Sequence, residues 1–351
     1  MKWDFAIGNP AYQDQTLGDN KGFAPPIYDK FIDAACEIAD KVEMIHPARF
    51  LFNAGSTPKA WNEKMLNDPH FKVLEYEADT KKIFLNTSIT GGIAISYHDK
   101  KKSFGAIRVF TPFPELNSIL HKVISTKSFA PMEQIVVSRT AYKLTNKLHT
   151  DYPEAIGQLS SGHAFDMSSN IFDRLPQVFF SEQPKDDRHK YIKMLGRKNG
   201  ERIHMYIRRD YVKNVDNLEK YKLVLARADG AAGTIGNPIP ARILGSVIVE
   251  KPGVGTTESF LSIGAFDDNV TANNALKYTK ARFSRTLVSV LKTTQDITPE
   301  KWKYVPLQDF TENSDINWNT SIANIDKQLY KKYGLSQEEI DFIETHVKEM
   351  V

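Results

Sequence analysis

The sequence predicts an α/β protein, in which half of a doubly wound, Rossmann-like domain is followed by a mixed α+β domain. Three observations predict it. From residue 5 to about 110, short apolar runs alternate with segments of helical period, the pattern of an open sheet with crossover helices. The first apolar run opens directly into Gly8-Asn9-Pro10-Ala11-Tyr12, a tight loop where such a sheet places ligands. The stretch Thr111-Pro112-Phe113-Pro114 then ends the alternation. Short strand-like runs, aromatic residues and long polar loops follow it, without repeats or low-complexity tracts. The expected domains are therefore 1–111 and 112–351.

Residues 5–8 predict a buried strand, and Gly18 to Gly22 a mobile loop. Apolar positions at helical spacing predict a helix over 27–40, followed by a strand from Val42 to His46 that Pro47 closes. Ser56 and Pro58 open a second helix reaching about Leu66, with Pro58 tolerated near the first turn. Phe71–Glu77 and Gly92–His98 predict further strands. Lys100-Lys101-Lys102 predicts a turn into Phe104–Phe110, making a final hairpin. In the second domain the pattern predicts a helix over Leu116–Ile124, an exposed loop over Gly157–Asn170 and a strand starting at Tyr221. One long helix is expected over Ala272–Leu291, and a helical tail over Ile322–Tyr330 and Glu338–Met350.

At 351 residues the chain is long enough for two cores, and 25% charged with 41% apolar residues is ordinary for a folded protein. The net charge is only +3, so a nucleic-acid surface must be local. Cys36 is the only cysteine, which excludes an internal disulfide and a thiolate metal cluster. Its helical setting suits a core residue. The nine histidines show no zinc spacing, and His46 suits strand-end packing better than general-base work. No run suits a signal peptide or a membrane span, so a cytoplasmic protein is expected.

The residues after the first strand suit chemistry on an exocyclic amine. The Asn9 side-chain oxygen and the Pro10 carbonyl can both accept from an NH2 group, and Tyr12 can stack on the ring that carries it. Asn-Pro followed by an aromatic is also an ordinary turn; the preceding strand and the sheet-end position separate the two readings. Gly91-Gly92 and Gly253-Val254-Gly255 are not placed between a strand and a helix, so they shape turns rather than a nucleotide cradle. The chain is expected to begin in the middle of its first fold.

Between Ser181 and Ala228 stand 13 Lys/Arg against 7 Asp/Glu. The basic residues include Lys185, Arg188, Lys190, Lys193, Arg197, Lys198, Arg202, Arg208 and Arg209, mixed with Tyr191, Tyr206 and Tyr211. Such a strip suits phosphate contact, with Arg227 near the end of the stretch a candidate for a base edge or phosphate. A solvated face with snorkelling side chains is the plain alternative. Lys277, Lys280, Arg282 and Arg285 are further candidates on the expected long helix. Asp186-Asp187 with Lys190 has poor spacing for a nuclease.

The segment Asp4-Phe5-Ala6-Ile7-Gly8-Asn9-Pro10-Ala11-Tyr12 resembles the Asn-Pro-Pro-Tyr motif of the Eco57I-type restriction–modification adenine methyltransferases. Asp40–Leu51, with Pro47-Ala48-Arg49-Phe50, is similar to a later strand and turn of that family, and Thr90–Ile95 to a strand that helps wall the base pocket. Gly264-Ala265-Phe266 and Val305–Thr311 look like pieces of its recognition domain. The resemblance implies that 1–111 is the C-terminal half of a methyltransferase domain and 112–351 a DNA target-recognition domain. It implies methyl transfer from S-adenosylmethionine to a flipped adenine in double-stranded DNA, with Asn9 and Pro10 holding the N6 amine and Tyr12 stacking on the base. Another chain or a longer product would supply the cofactor-binding half. Ala11 departs from the family's second proline and loosens the loop. Two other functions remain open from the residues: a non-catalytic DNA-binding specificity module of a restriction–modification system, and a metabolic α/β enzyme with an accessory domain.

Overall fold

The computed structural model describes residues 3–14, 24–53, 55–85, 89, 91–185, 188–292 and 294–350. The chain divides into two compact units, Met1–Asn117 and Ser118–Val351.

The first unit contains β1 (Trp3–Gly8), α1 (Tyr28–Ile38), β2 (Ala39–Pro47), α2 (Lys59–Asn67), β3 (Phe71–Glu77) and β4 (Ile93–Asp99). Its sheet runs β1-β2-β4-β3, with β1 parallel to β2 and β4 antiparallel to both its neighbours. Helix α1 forms because Tyr28, Ile32 and Ala35 recur at helical spacing and bury one face. That face meets Val42, Met44 and Ala94 of the sheet and Trp61, Met65 and Leu66 of α2 in one core. Phe50 and Trp61 meet edge to face at 4.8 Å near its centre. Each such buried side chain contributes about 1.5–3 kcal/mol relative to exposure.

Two expectations for this unit are corrected. The first strand is not buried. β1 is a sheet edge, and its alternation turns Ala6 toward the core while Trp3, Phe5 and Ile7 stay exposed on the opposite face. The final hairpin does not form, because β2 and β3 occupy both edges of β4. Residues 104–110 instead bond to the end of α2 and the loop after it, through Phe104 N to Pro69 O and Arg108 N to Leu66 O, both at 2.7 Å. Arg108 has a φ of +58°, which no strand would allow. The loop expected at Gly18 to Gly22 lies outside the described residues.

Along the rest of the chain follow α3 (Pro114–Ile124), β5 (Val136–Val137), α4 (Asn146–Asp151), α5 (Ala155–Gln158) and α6 (Ile171–Arg174). Next come β6 (Tyr191–Lys198), β7 (Glu201–Arg208), β8 (Tyr221–Ala226), β9 (Val247–Glu250), β10 (Val254–Thr256) and β11 (Phe260–Phe266). Helices α7 (Asn269–Lys280), α8 (Arg282–Ser289), α9 (Ile322–Lys332) and α10 (Gln337–His346) complete the order.

The second unit carries two sheets, β10-β6-β7 and β5-β11-β8-β9. β6 and β7 are joined by Asn199-Gly200, whose φ angles of +52° and +82° fit the mirror-type two-residue turn that a right-twisted hairpin favours. Ile192, Met194, Met205 and Ile207 point from this hairpin into a core with Tyr142, Phe172, Phe179 and Tyr211. Helix α7 packs on β8, β9 and β11 of the second sheet. The expected long helix breaks at Ala281, whose backbone is extended in ψ at 142°. Asp326 of α9 fixes the break by accepting from Arg282 N at 3.0 Å and Phe283 N at 2.9 Å, the first amides of α8. In the expected loop over Gly157–Asn170, Ser160 to His163 are exposed while Leu159 and Met167 anchor it in the core.

Candidate functional site

Asn9 to Tyr12 leave the sheet where β1 ends. Parallel pairing of Gly8 with Met44 sets that point beside the end of β2. The loop is pinned just beyond the motif: Tyr12 O accepts from Ile27 N at 3.2 Å, Gln13 bridges Pro26, and Asp14 N donates to Pro25 O at 2.9 Å. The motif is thereby tied to the start of α1. Asn9 and Ala11 are exposed, while Pro10 and Tyr12 are half-buried. Among the described residues, neither the Asn9 amide nor the Pro10 carbonyl is hydrogen-bonded. The Tyr12 hydroxyl is buried without a partner among those residues, and burial pushes its pKa up.

The same end of the sheet carries the end of β3 and the start of β4. There the rings of Phe52, Tyr76 and Phe110 pack mutually edge to face, with centroids 5.4 to 5.6 Å apart. Tyr76 Oη donates to Gly91 O at 3.3 Å. Gly92 has a φ of +81°, and a Cβ there would stand 2.6 Å from Glu77 O, so this turn into β4 requires glycine. These three rings are not apparent from the motif; the spacing Phe50-x-Phe52 after Pro47 is the only sequence signal toward them.

His46 lies inside the core, stacked on Tyr28 with Nε2 2.8 Å from Ser96 Oγ. Burial lowers its pKa to about 4, so it is a neutral packing residue. Cys36 packs against the same core, and burial pushes its thiol up to about 11.

The basic residues of the second unit do not form one strip. Strand alternation places Lys193, Arg197 and Arg208 on the face of the β6–β7 hairpin opposite its core with Tyr142 and Phe172. The same face carries Tyr191, Arg202, His204, Tyr206 and Leu195, which is buried against Phe260. Lys193 Nζ lies 5.1 Å above the Tyr206 ring. Lys190 precedes β6 and is exposed, whereas Lys198 points to the opposite face beside the turn. Arg208 is paired with Asp151 at 3.3 Å and Asp210 at 2.6 Å, over the Tyr211 ring. Arg209 binds Val212 O, Asn214 and Glu219. Arg227 follows β8 in the other sheet and faces Asp296 at 3.6 Å. His204, which the sequence did not single out, meets Glu250 at 2.8 Å.

On the broken helix, the expected outward positions are corrected. Arg285 is fully buried, donating to Lys280 O and Arg242 O. Arg282 is engaged by Val347 O, Glu344 and Glu349, and Lys277 by Trp318 O. The Val305–Thr311 segment is a packing seam, where Tyr278 Oη donates to Pro306 O at 2.6 Å and Phe310 is buried. Asp186 and Asp187 lie outside the described residues.

Among the described residues no group of three or more acidic, His or Cys side chains could hold a metal ion. No helix among them is long and apolar enough to cross a membrane. Among them Gly55, with a φ of +92°, stands in the connection between β2 and α2, while Gly92 leads into β4 and Gly253 into β10.

The sequence profile of the Eco57I restriction-modification methylase family matches residues 1–84, the segment holding the Asn9 loop and most of the first sheet. No curated protein matches the chain. One solved structure, described as that of the type IIG restriction endonuclease BpuSI, aligns with 97% of this chain at 9% identity and a TM-score of 0.34. The alignment covers 52% of that protein, so the chain spans about half its length. By its sequence profile, residues 1–84 are similar to the Eco57I restriction-modification methylases.

Proposed function

We propose that the chain is the base-holding and DNA-recognising part of an adenine-N6 DNA methyltransferase of a restriction–modification system. The observation that carries this reading is the presentation of two unengaged acceptors, Asn9 Oδ1 and Pro10 O, at the carboxyl end of β1. The adenine amine is a weak nucleophile because its lone pair is delocalised into the ring. Two acceptors on its hydrogens favour a pyramidal nitrogen with a localised lone pair. Tyr12 stacks on the base, which must leave the duplex to reach the loop. Alignment and preorganised polar groups supply the help.

S-adenosylmethionine is the methyl donor in this reading. In this reading another chain or segment supplies the cofactor-binding half, and 1–111 acts as a partial catalytic domain. Residues 112–351 act as the target-recognition domain on double-stranded DNA. Of Lys190, Lys193, Arg197, Lys198, Arg208, Arg209 and Arg227, the geometry favours Lys193 and Arg197 for DNA, because acidic partners already hold Arg208, Arg209 and Arg227. A DNA substrate fits a cytoplasmic setting.

The test is transfer of labelled methyl groups from S-adenosylmethionine to a pool of duplexes, by the chain alone and co-expressed with the products of neighbouring genes. Label recovered as N6-methyladenine supports the reading. Label on cytosine, or none in any combination, overturns it. Ala11, in place of the second proline of the resembled motif, favours a second reading, a DNA-specificity module without transfer activity. Calorimetric titration of S-adenosylmethionine with and without DNA separates the two: DNA affinity without cofactor binding in any assembly selects the module.

A further inference from the structure

The Asn199-Gly200 turn fixes the register of β6 and β7 so that Arg197 stands directly opposite Arg202. Both guanidinium groups lie over the fully buried ring of Phe260, with Cζ 5.9 and 5.4 Å from its centroid. Arg197 donates to Gly200 O at 3.2 Å, which holds its planar fork beside the turn. Among the described residues, the hydrogen bond of Arg202 is a long one to Ser246 O, at 3.5 Å. Among the described residues neither has a carboxylate in ion-pair range, unlike Arg208, Arg209 and Arg227.

Asp229 is the carboxylate that offsets the Arg202 charge, and it is already engaged. It accepts from Ala231 N at 3.1 Å and faces Arg242 at 3.7 Å. Burial and the neighbouring Arg197 charge hold the Arg202 guanidinium below its ordinary pKa, with Asp229 opposing. Like charges directly opposite on adjacent strands are destabilising unless something lies between them. Two rigid forks sharing an apolar floor match the tetrahedral oxygens of a phosphate group.

We propose that Arg197 and Arg202, converging above Phe260, form a two-pronged site for a single phosphate group. In a DNA-binding unit, the reading on which its biological source rests, that group is one phosphodiester of the duplex backbone. The two arginines serve one anion, so their contributions are not additive.

The experiment uses the full chain and the Arg197→Gln, Arg202→Gln and double variants. The first arm measures thermal unfolding in inorganic phosphate against chloride at equal ionic strength. Phosphate should raise the wild-type midpoint, and each single variant should lose most of that protection. The second arm measures duplex affinity against salt. Each single variant should lower the slope of log K against log salt by about 0.9, the value for one phosphate. The double variant should lower it by the same amount rather than twice as much. Affinity should fall equally across duplex sequences.

Unchanged phosphate protection and an unchanged slope in the variants overturn the site while leaving DNA binding intact. Arginine-dependent phosphate protection in a chain that binds no duplex supports the anion site and overturns the DNA reading. If glutamine at 202 prevents folding, Arg202→Lys replaces it; charge without the planar fork should then give weaker protection than wild type.

Discussion

At the scale of single residues, the candidate chemistry rests on groups left free by the local fold. Asn9 is exposed at the strand end, and its amide has no partner among the described residues. In an assembly that transfers methyl groups, Asn9→Ala should lower transfer by about 10²-fold or more, the scale for losing one preorganised polar group. Duplex affinity should change little. A titration of both quantities checks this, and unchanged transfer sinks the assigned role. His46 illustrates the opposite case, a titratable side chain absorbed by packing. Its folded pKa of about 4 lies below the ordinary 6.5, so the unfolded chain binds more protons between those values. Stability should therefore be lost as pH falls through that window, by up to about 3 kcal/mol at pH 4. Urea midpoints against pH measure it, and His46→Gln should flatten the curve.

At the scale of elements, polar side chains decide where helices stop and which basic groups remain available. Asp326 receives the first two amides of α8 from a neighbouring helix, and it is itself buried. Asp326→Ala would leave those amides without their acceptor and should cost about 1–3 kcal/mol, read as a lower midpoint for the second unit. The β6–β7 hairpin shows how register selects cations. Arg208 sits between Asp151 and Asp210 with its side chain only 15% exposed. Arg208→Ala should therefore act mainly on stability, leaving the salt slope of DNA binding nearly unchanged. A slope reduced by about one would show instead that Arg208 reaches a phosphate.

At the scale of the whole molecule, the two units carry opposite responses to mild acid. In the first, neutral His46 resists burial in charged form. In the second, burial raises the Asp326 carboxyl to about 6, above its ordinary 3.8. That carboxylate destabilises the fold as pH rises from about 4 to 6, and protonation removes the penalty. The paired carboxylates Asp151, Asp166 and Asp268 are shifted downward and titrate below this window. Calorimetric scans should show two transitions. Between pH 7 and 5 the one lost in a His46-dependent way moves down, and the Asp326-dependent one moves up. A single transition with one pH trend would show that the units unfold together.

Local periodicity and motif content made much of the secondary structure legible. The helices at 28–38, 59–67, 322–332 and 337–346 and the strand Phe71–Glu77 follow from apolar spacing and turn residues. The Asn9 loop was legible because a strand, a ring-locked residue and an aromatic stand together in twelve residues. The Asn199-Gly200 turn is equally local but was not read from the sequence, and it sets the hairpin between β6 and β7. What failed depended on partners distant in sequence. β1 was read as buried because periodicity does not tell an edge strand from a central one. Residues 104–110 lost their strand because β4 had no free edge. The helix after Ala272 broke because Asp326, 44 positions beyond Arg282, captured its amides.

The sequence by itself determined which segments could be helix or strand, and which residue types could meet an amine or a phosphate, since both depend on neighbours along the chain. Tertiary structure alone decided which cations keep their charge available. An arginine's partner is set by the strand or loop packed beside it, so Arg208 was neutralised by Asp151 from α4 while Arg197 and Arg202 were left facing each other over Phe260.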